Sequence, residues 1–266
     1  MNPSIRKRLL LAGGVVLIGL FALRAAQNGA GSVDPIPPVT IVLEERQFNP
    51  AIPPPIGPNR VSFHRTVAHR GDGAKAQFTD EDGIAGYKTL EVSLPGRILI
   101  QAFPEIEAFT AVKLPPKPEQ EAASRLLPSS DCAVRADGMM PRGAAQPGEV
   151  ILGYRTARFV QDSPSRRSTV WLSPDLGCVE VRTLMEFKDK AGNITDWSDQ
   201  VVTSITKSVD PLMFSIPKSY ELIDPEELFR RSIIHKKGVS PDEPFMGTLK
   251  SAADRFARYR FDPREP

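Results

Sequence analysis

Proline is the feature of this sequence that most limits its fold. The chain of 266 residues contains 26 prolines, roughly twice the usual share. Proline fixes the backbone angle φ and lacks the N–H group that helices and interior strands need. Long uninterrupted helices are therefore excluded for most of the chain. Five of the nine residues at 50–58 are prolines, which predicts an extended polyproline II segment there.

The rest of the composition is that of an ordinary globular protein. Hydrophobic residues make up 41% of the chain and charged residues 25%, which is enough to build a sizeable core. The formal net charge is only +2, whereas a dedicated nucleic-acid binder shows a basic excess. The composition therefore excludes a fully disordered chain and predicts no nucleic-acid partner.

The N-terminal segment predicts export. Residues 9–23 carry no charge and follow a basic cluster at residues 6–8, which is the layout of a secretory signal. We therefore expect residues 1–26 to be a signal anchor or a signal peptide. As a helix, fifteen residues span about 22 Å, less than the ~30 Å hydrocarbon core of a bilayer.

Two observations favour an uncleaved anchor. Arg8 and Arg24 flank the apolar run and can extend toward the lipid headgroups. The segment also lacks a good cleavage site, because for cleavage before Ala26 Leu23 stands at position −3, where a small residue is expected, and the bulky Arg24 stands at −2. The anchor would tether the chain to the inner membrane of a bacterium, with the remainder in the periplasm. The alternative is cleavage near Ala26.

The sequence contains two cysteines, Cys132 and Cys178. An even number of cysteines in an exported protein predicts a disulfide, with the two Cα atoms about 4.4–6.8 Å apart. The bridge would tie the loop at 128–148 to the sheet. The alternative is two unrelated buried thiols.

The pattern along the chain predicts an α+β fold that is mainly antiparallel β. We expect a proline-rich linker with a short strand at 27–58 and a single β-rich extracytoplasmic domain at 59–266. Short turns join most of the predicted strands, and such strands cannot pair in parallel. The sheet would be a curved meander, an incomplete barrel, with two or three helices packed on it. The predicted helices lie at 119–127, 224–237 and 248–260.

No motif in the sequence predicts a catalytic, cofactor or metal site. His64 and His69 stand five residues apart on a predicted strand and would face opposite sides of the sheet. There is no G-x-S-x-G motif, and the S-x-x-K match at 204–207 lies in a predicted strand, where it cannot aim Lys at Ser. We therefore expect a protein that is not an enzyme and needs no cofactor.

Aromatic side chains are the candidates for ligand binding. They are more often part of a solid core, but a curved sheet can use them to line an apolar cavity. The candidate lining residues are Phe63, Phe78, Phe103, Phe159, Trp171 and Phe187.

Three segments in the second half carry a family resemblance. They read ILGYRT at 151–156, VWLSPDLGC at 170–178 and FSIPKSY at 214–220. Over roughly residues 148–230 the chain resembles exported bacterial proteins of the outer-membrane lipoprotein carrier-like class. That resemblance implies an incomplete barrel over an apolar cavity, and a binding fold from which no catalytic residue can be transferred. The chain departs from the class in having a proline-rich stretch where an amphipathic helix is expected.

These observations give three hypotheses. The first is a non-enzymatic extracytoplasmic protein that binds a lipid or another apolar ligand in a cavity of the sheet. The second is a structural or interaction protein of the cell envelope, with the proline-rich segments docking on a protein partner. The third is an envelope hydrolase, which would need a catalytic cluster that the linear sequence does not reveal.

Overall fold

The structure is a computed structural model that describes residues 36–48, 61–81, 87–114, 132, 145–237 and 259–264. The predicted signal segment, the polyproline segment at 50–58, the predicted helix at 119–127 and most of the one at 248–260 lie outside these residues. Within the described part, no helix is both long enough and apolar enough to cross a bilayer.

The described residues group into two compact units. The large unit contains residues 36–48, 61–81, 87–89, 132 and 145–215, and the small unit contains residues 90–114, 216–237 and 259–264. That residues 59–266 form a single domain stays a prediction.

The large unit is an open antiparallel sheet. In the order of hydrogen bonding its strands are β3, β2, β1, β11, β10, β9, β8 and β7, and the two end strands do not pair with each other in the described residues. The strands are β1 (Val39–Phe48), β2 (Val61–His69), β3 (Lys75–Glu81), β7 (Gln146–Pro147), β8 (Ala157–Asp162), β9 (Arg166–Ser173), β10 (Val179–Lys188) and β11 (Ile194–Thr206).

Alternate side chains of β1 form part of the core of the large unit, because successive side chains of a strand point to opposite faces of the sheet. On β1, Val39, Ile41 and Leu43 are buried and alternate with less buried residues, as expected for a strand with one face in the core. These three side chains pack with the buried valines of β10 and with Trp171 of β9. The same cluster includes Ile151 and Leu176, which lie in loops.

The predicted disulfide between Cys132 and Cys178 is present, which confirms the prediction. The two Cα atoms are 5.6 Å apart. Both cysteines are buried and pack with Phe159 and Leu172 in a second cluster of the large unit. The bridge therefore fixes residue 132 to the β8 and β9 side of the sheet.

The small unit combines four strands and one helix. Its strand order is β12, β6, β5 and β4, and β12 pairs with β6 in parallel while the other pairs are antiparallel. The elements are β4 (Tyr87–Leu94, in this unit from residue 90), β5 (Ile98–Phe103), β6 (Ala108–Lys113), β12 (Glu221–Leu222) and α1 (Pro225–Lys237).

The helix α1 lies where the sequence predicts a helix, at 224–237. Pro225 occupies its first position, where the missing N–H is not needed. Glu227 forms ion pairs with the arginines at 230 and 231, one turn later. On the buried side Leu228 is fully covered, and Phe229 meets Phe103 edge-on with 6.2 Å between ring centroids.

The predicted fold class was wrong. Strands dominate the described residues, and α1 is the single α-helix among them, so the fold is mainly β and not α+β with two or three packed helices. In each unit the strand order is open, and its two end strands do not pair with each other among the described residues. The connections at 104–106, 174–176 and 211–214 are short 3₁₀ turns that begin with proline, because proline suits the first turn of a helix and not its continuation.

Candidate functional site

The topology of the large unit brings five loops to one end of its sheet. Neighbouring strands run in opposite directions, so the starts of β1, β3, β8 and β10 lie at the same end as the finishes of β2, β9 and β11. We call the surface formed by these loops the loop end. Its segments are residues 36–38, 70–74, 148–156, 174–178 and 207–214.

The loop end exposes three aliphatic side chains. The exposed fractions of Val150, Leu152 and Leu212 are 67%, 52% and 74%. Two further large hydrophobic residues that are exposed in the described chain, Phe187 and Ile194, lie at the opposite end of the sheet. Isolated exposed hydrophobic residues are common, but these three sit on loops that the rest of the structure fixes.

Leu152 stands in a backbone conformation that leucine rarely adopts. Ile151 and Tyr154 exchange two backbone hydrogen bonds of 3.0 and 2.9 Å, and between them Leu152 has φ 47° and Gly153 φ 84°. Such a two-residue turn favours Asn-Gly, and the left-handed region costs a branched residue about 1–2 kcal/mol. Strain of this kind is often found at functional sites. In the sequence alone, residues 150–159 read as one continuous strand, because Leu-Gly is not a typical turn pair. That reading was wrong, since the chain turns here and β8 begins only at Ala157.

Packing against the core holds the turn at 151–154 in place. Ile151 is buried in the core next to Trp171, while its two neighbours point outward. Gly148 lies so close to these groups that an added Cβ would be 2.1 Å from Thr156 Oγ1 and 3.0 Å from Trp171 Cδ1. The Thr156 hydroxyl in turn donates to the carbonyl of Glu149 at 2.6 Å. The exposed side chains are therefore held on a rigid support.

Arg182 braces the same loop against the sheet. Its guanidinium lies 4.8 Å from the centre of the Trp171 ring and donates to both oxygens of Asp199 at 3.0 and 2.9 Å. A further nitrogen donates to Glu149 Oε1 at 2.6 Å. The hydrogen bonds to Asp199 raise the pKa of Arg182, although burial opposes them. This arginine joins the turn, the aromatic core and β11 in one network.

Two Arg–Asp pairs form the polar rim of the loop end. Arg155 donates to Asp175 through two side-chain nitrogens at 2.5 and 3.3 Å, and Arg70 pairs with Asp72 at 2.7 and 2.9 Å. In each pair the arginine hydrogen bond lowers the pKa of the aspartate. The charges thus balance within each of the two pairs.

The segment at 207–214 completes the surface. The Asp210 carboxylate accepts from the backbone N–H of Leu212 at 2.9 Å and starts a 3₁₀ turn. Phe214 is buried in that turn, with the Arg70 guanidinium 4.8 Å from its ring centre, whereas Leu212 points to solvent. Lys207 lies 5.6 Å from the ring centre of Tyr154 and links this segment to the strained turn.

The described chain enters the large unit at the loop end. An added Cβ on Gly177, which has φ 70°, would lie 2.8 Å from Pro37 and 3.2 Å from Ile36. An added Cβ on Gly71 would likewise lie 3.5 Å from the Pro38 side chain. Residues 36–38 therefore run between the turns at 70–74 and 174–178 before β1 begins.

The structure brings three of the six predicted lining residues onto one face of the large sheet. A row in register crosses six strands, and Phe63 and Phe159 stand at its two ends. Phe187 shares this face, because it stands four residues along β10 from Thr183. In order, the row is Phe63, Glu45, Gln200, Thr183, Val170 and Phe159.

The other three lining candidates lie elsewhere. Trp171 is not in the row and packs with Ile151 and the buried valines of β10 in the core. Phe78 pairs with Thr66, three residues from Phe63 on β2, and therefore points to the face opposite Phe63. Phe103 belongs to the small unit and packs on Phe229. The six residues therefore do not form one lining, and the cavity stays a prediction.

The centre of the row is polar. Glu45 is buried, and its carboxylate accepts from the side chains of Gln47 at 2.6 Å, Ser198 at 2.9 Å and Gln200 at 2.6 Å. Arg65 donates to Gln200 at 2.8 Å and approaches Glu45 to 3.7 Å. A carboxylate held by so many donors is suited to fixing three strands in register.

The three histidines do not converge. His64 and His69 face opposite sides of β2, as predicted, since their partners on β1 are Glu44 and Val39. His235 on α1 lies 3.3 Å from Glu105 in the small unit. Among the described residues no group of three or more His, Cys, Asp or Glu side chains could hold a metal ion.

Sequence reasoning did not identify Val150, Leu152 or Leu212 as functional candidates. The turn residues were hidden in an apolar run that reads as a strand. Leu212 gives no local signal except the proline before it. The three residues lie at the same end of the sheet because neighbouring strands run in opposite directions. That arrangement depends on pairing between strands that are far apart in the sequence, such as β1 with β11.

Comparison with known proteins gives no family. No family model matches the chain, and no curated protein matches it. Among solved structures, MucB in complex with MucA(peri) is 12% identical, with a TM-score of 0.39 and coverage of 75% of this chain and 60% of that one. The Pseudomonas aeruginosa MucA/MucB complex is 10% identical, with a TM-score of 0.37 and coverage of 77% and 62%.

A structure of PNGF-II is 13% identical, with a TM-score of 0.39 and coverage of 73% of this chain and 33% of that one. The chain thus spans less than two thirds of each of these structures. Similarity at this level does not establish a shared fold. The resemblance to the lipoprotein carrier-like class stays a prediction.

Proposed function

We propose that this chain is an exported, non-enzymatic protein of the cell envelope that binds a protein partner through its loop end. In this proposal residues 9–23 anchor the chain in the inner membrane and the described units lie in the periplasm. The observation that carries the proposal is the set of exposed aliphatic side chains, Val150, Leu152 and Leu212, presented on braced loops at one end of the large sheet.

The arrangement has the composition of a protein-binding surface. Such surfaces combine apolar groups with polar groups, and the loop end carries both the exposed aliphatic side chains and the two Arg–Asp pairs. Because the turn is already fixed by Gly148 and Arg182, little conformational entropy would be lost on binding. Burial of each exposed aliphatic side chain would contribute about 1–2 kcal/mol.

A pull-down with matched variants tests the proposal. The full chain carries an affinity tag, is crosslinked in intact envelopes and is purified, and the captured proteins are quantified by mass spectrometry. The test variant combines Val150→Ser, Leu152→Ser and Leu212→Ser. The control is Ile194→Ser, because Ile194 is equally exposed, at 51%, but lies at the opposite end of the sheet.

We expect the triple variant to capture at least tenfold less of a protein that the wild type and the control both capture. Circular dichroism and a urea midpoint show that the variants remain folded. Equal capture by wild type and triple variant, or equal loss in the control, would contradict the proposal.

Binding of an apolar ligand is the second candidate function. One observation favours it, namely that Phe63, Phe159 and Phe187 share a face of the sheet. The polar centre of the same row, around Glu45, weakens it. Extraction and mass spectrometry of lipids from purified protein test this candidate, and an absence of bound lipid would exclude it.

A further inference from the structure

The point where the chain enters the large unit places the loop end near the membrane. Twelve residues, 24–35, separate the predicted anchor from Ile36, and a fully extended chain of that length reaches about 40 Å. Ile36, Pro37 and Pro38 are themselves packed on the loop end, against Gly177 and Gly71. With residues 9–23 as an anchor, the tether therefore keeps its attachment point on the loop end within about 40 Å of the bilayer.

We infer that the partner is an integral membrane protein, and that the segment bound is its extracytoplasmic chain within about 40 Å of the bilayer. This inference rests on the proposed function and on the predicted anchor. A segment that binds here would present an apolar surface without a strong net charge, since it meets aliphatic side chains and a balanced rim.

The bilayer itself is the poorer occupant of this surface. A protein loop that inserts into anionic headgroups combines apolar residues with an excess of Lys and Arg. At the loop end the arginines at 70 and 155 are each paired with an aspartate, and Glu149 faces Arg182. The surface therefore lacks the positive excess that would draw it into the headgroups.

Photo-crosslinking tests the inference in the full chain. A photo-reactive phenylalanine analogue is placed at position 152, and at position 194 as the control at the opposite end. After irradiation of intact envelopes, mass spectrometry identifies both the captured molecule and the crosslinked residue. We expect position 152 to crosslink to a membrane protein, and the crosslinked residue of that protein to lie no more than about twelve residues from one of its transmembrane segments. Position 194 should give at least tenfold less of this adduct.

The outcomes separate the inference from the proposed function. An adduct to a soluble protein, or to a distant part of a membrane protein, overturns the inference and leaves the proposed function standing. Adducts to lipid alone, or equal adducts at both positions, overturn both.

Tether length provides a second measurement. Insertion of twenty Gly/Ser residues after Gly31 lengthens the tether from 12 to 32 residues, and the effective concentration falls roughly as the −3/2 power of length, about fourfold. At low expression we expect the adduct yield at position 152 to fall by about that factor. A yield that does not change with tether length would overturn the inference.

Discussion

Removal of the Cys132–Cys178 bridge gives the prediction with the clearest magnitude. The bridge closes a loop of 46 residues, and the chain-entropy relation for a loop of that length gives about 4 kcal/mol at 25 °C. Both cysteines are buried. The Cys132→Ala/Cys178→Ala variant removes the bridge without placing a polar group in that buried site, because alanine is apolar. The expected loss is a large part of the 5–15 kcal/mol that stabilises a typical domain.

Urea unfolding measures this loss. With a urea dependence of about 2 kcal/mol per molar, a loss of 4 kcal/mol moves the midpoint down by about 2 M. Wild-type protein in reductant should unfold at the midpoint of the double variant, and the variant should not respond to reductant. A shift below about 0.5 M, or a variant that reductant still destabilises, would refute the loop-closure reasoning.

Three further predictions concern polar groups of the large unit. Glu45→Ala should destabilise it by about 3 kcal/mol in urea unfolding, because the buried Ser198 hydroxyl and two part-buried amide groups lose their acceptor, whereas Glu45→Gln should cost less; equal effects would contradict the network. Arg182→Lys should cost about 1 kcal/mol in the same assay, because an ammonium cannot stack on the indole ring while donating to both Asp199 oxygens; a neutral result would exclude that role. The lowered pKa of Asp72 and of Asp175 means that both carboxylates stabilise the folded chain above their unfolded pKa of about 4, and that this contribution is lost as the pH falls through their lower folded pKa. Unfolding midpoints at pH 6 and pH 2.5 should therefore differ less in Asp72→Asn/Asp175→Asn than in wild type, and an equal difference would contradict the assignment.

Local signals in the sequence predicted the features that depend on neighbouring residues. The short strand within residues 27–58 and the helix at 224–237 each depend on a few adjacent residues, and the structure contains both, as β1 and α1. The disulfide followed from the count of cysteines and the expected compartment. These features could be predicted because local chemistry decides them.

Features that depend on distant pairing could not be predicted. The insertion of β1 between β2 and β11 joins residues more than 150 positions apart, and no local pattern encodes that choice. The turn at Leu152 was missed because tertiary packing of Ile151 and Gly148 imposes a conformation that leucine disfavours. The candidate site depends on the pairing of β1 with β11 and on the turn at Leu152, so the sequence alone could not predict it.

Amide hydrogen exchange on the purified complex tests the central claim most directly. Exchange is compared for the chain alone and with its captured partner, over peptides from the loop end and from the opposite hairpin at 188–194. Protection at 149–155 and 207–214, with none at the hairpin, is the predicted result. Protection confined to the hairpin or to the sheet face around Glu45, with the loop end unchanged, would contradict the account.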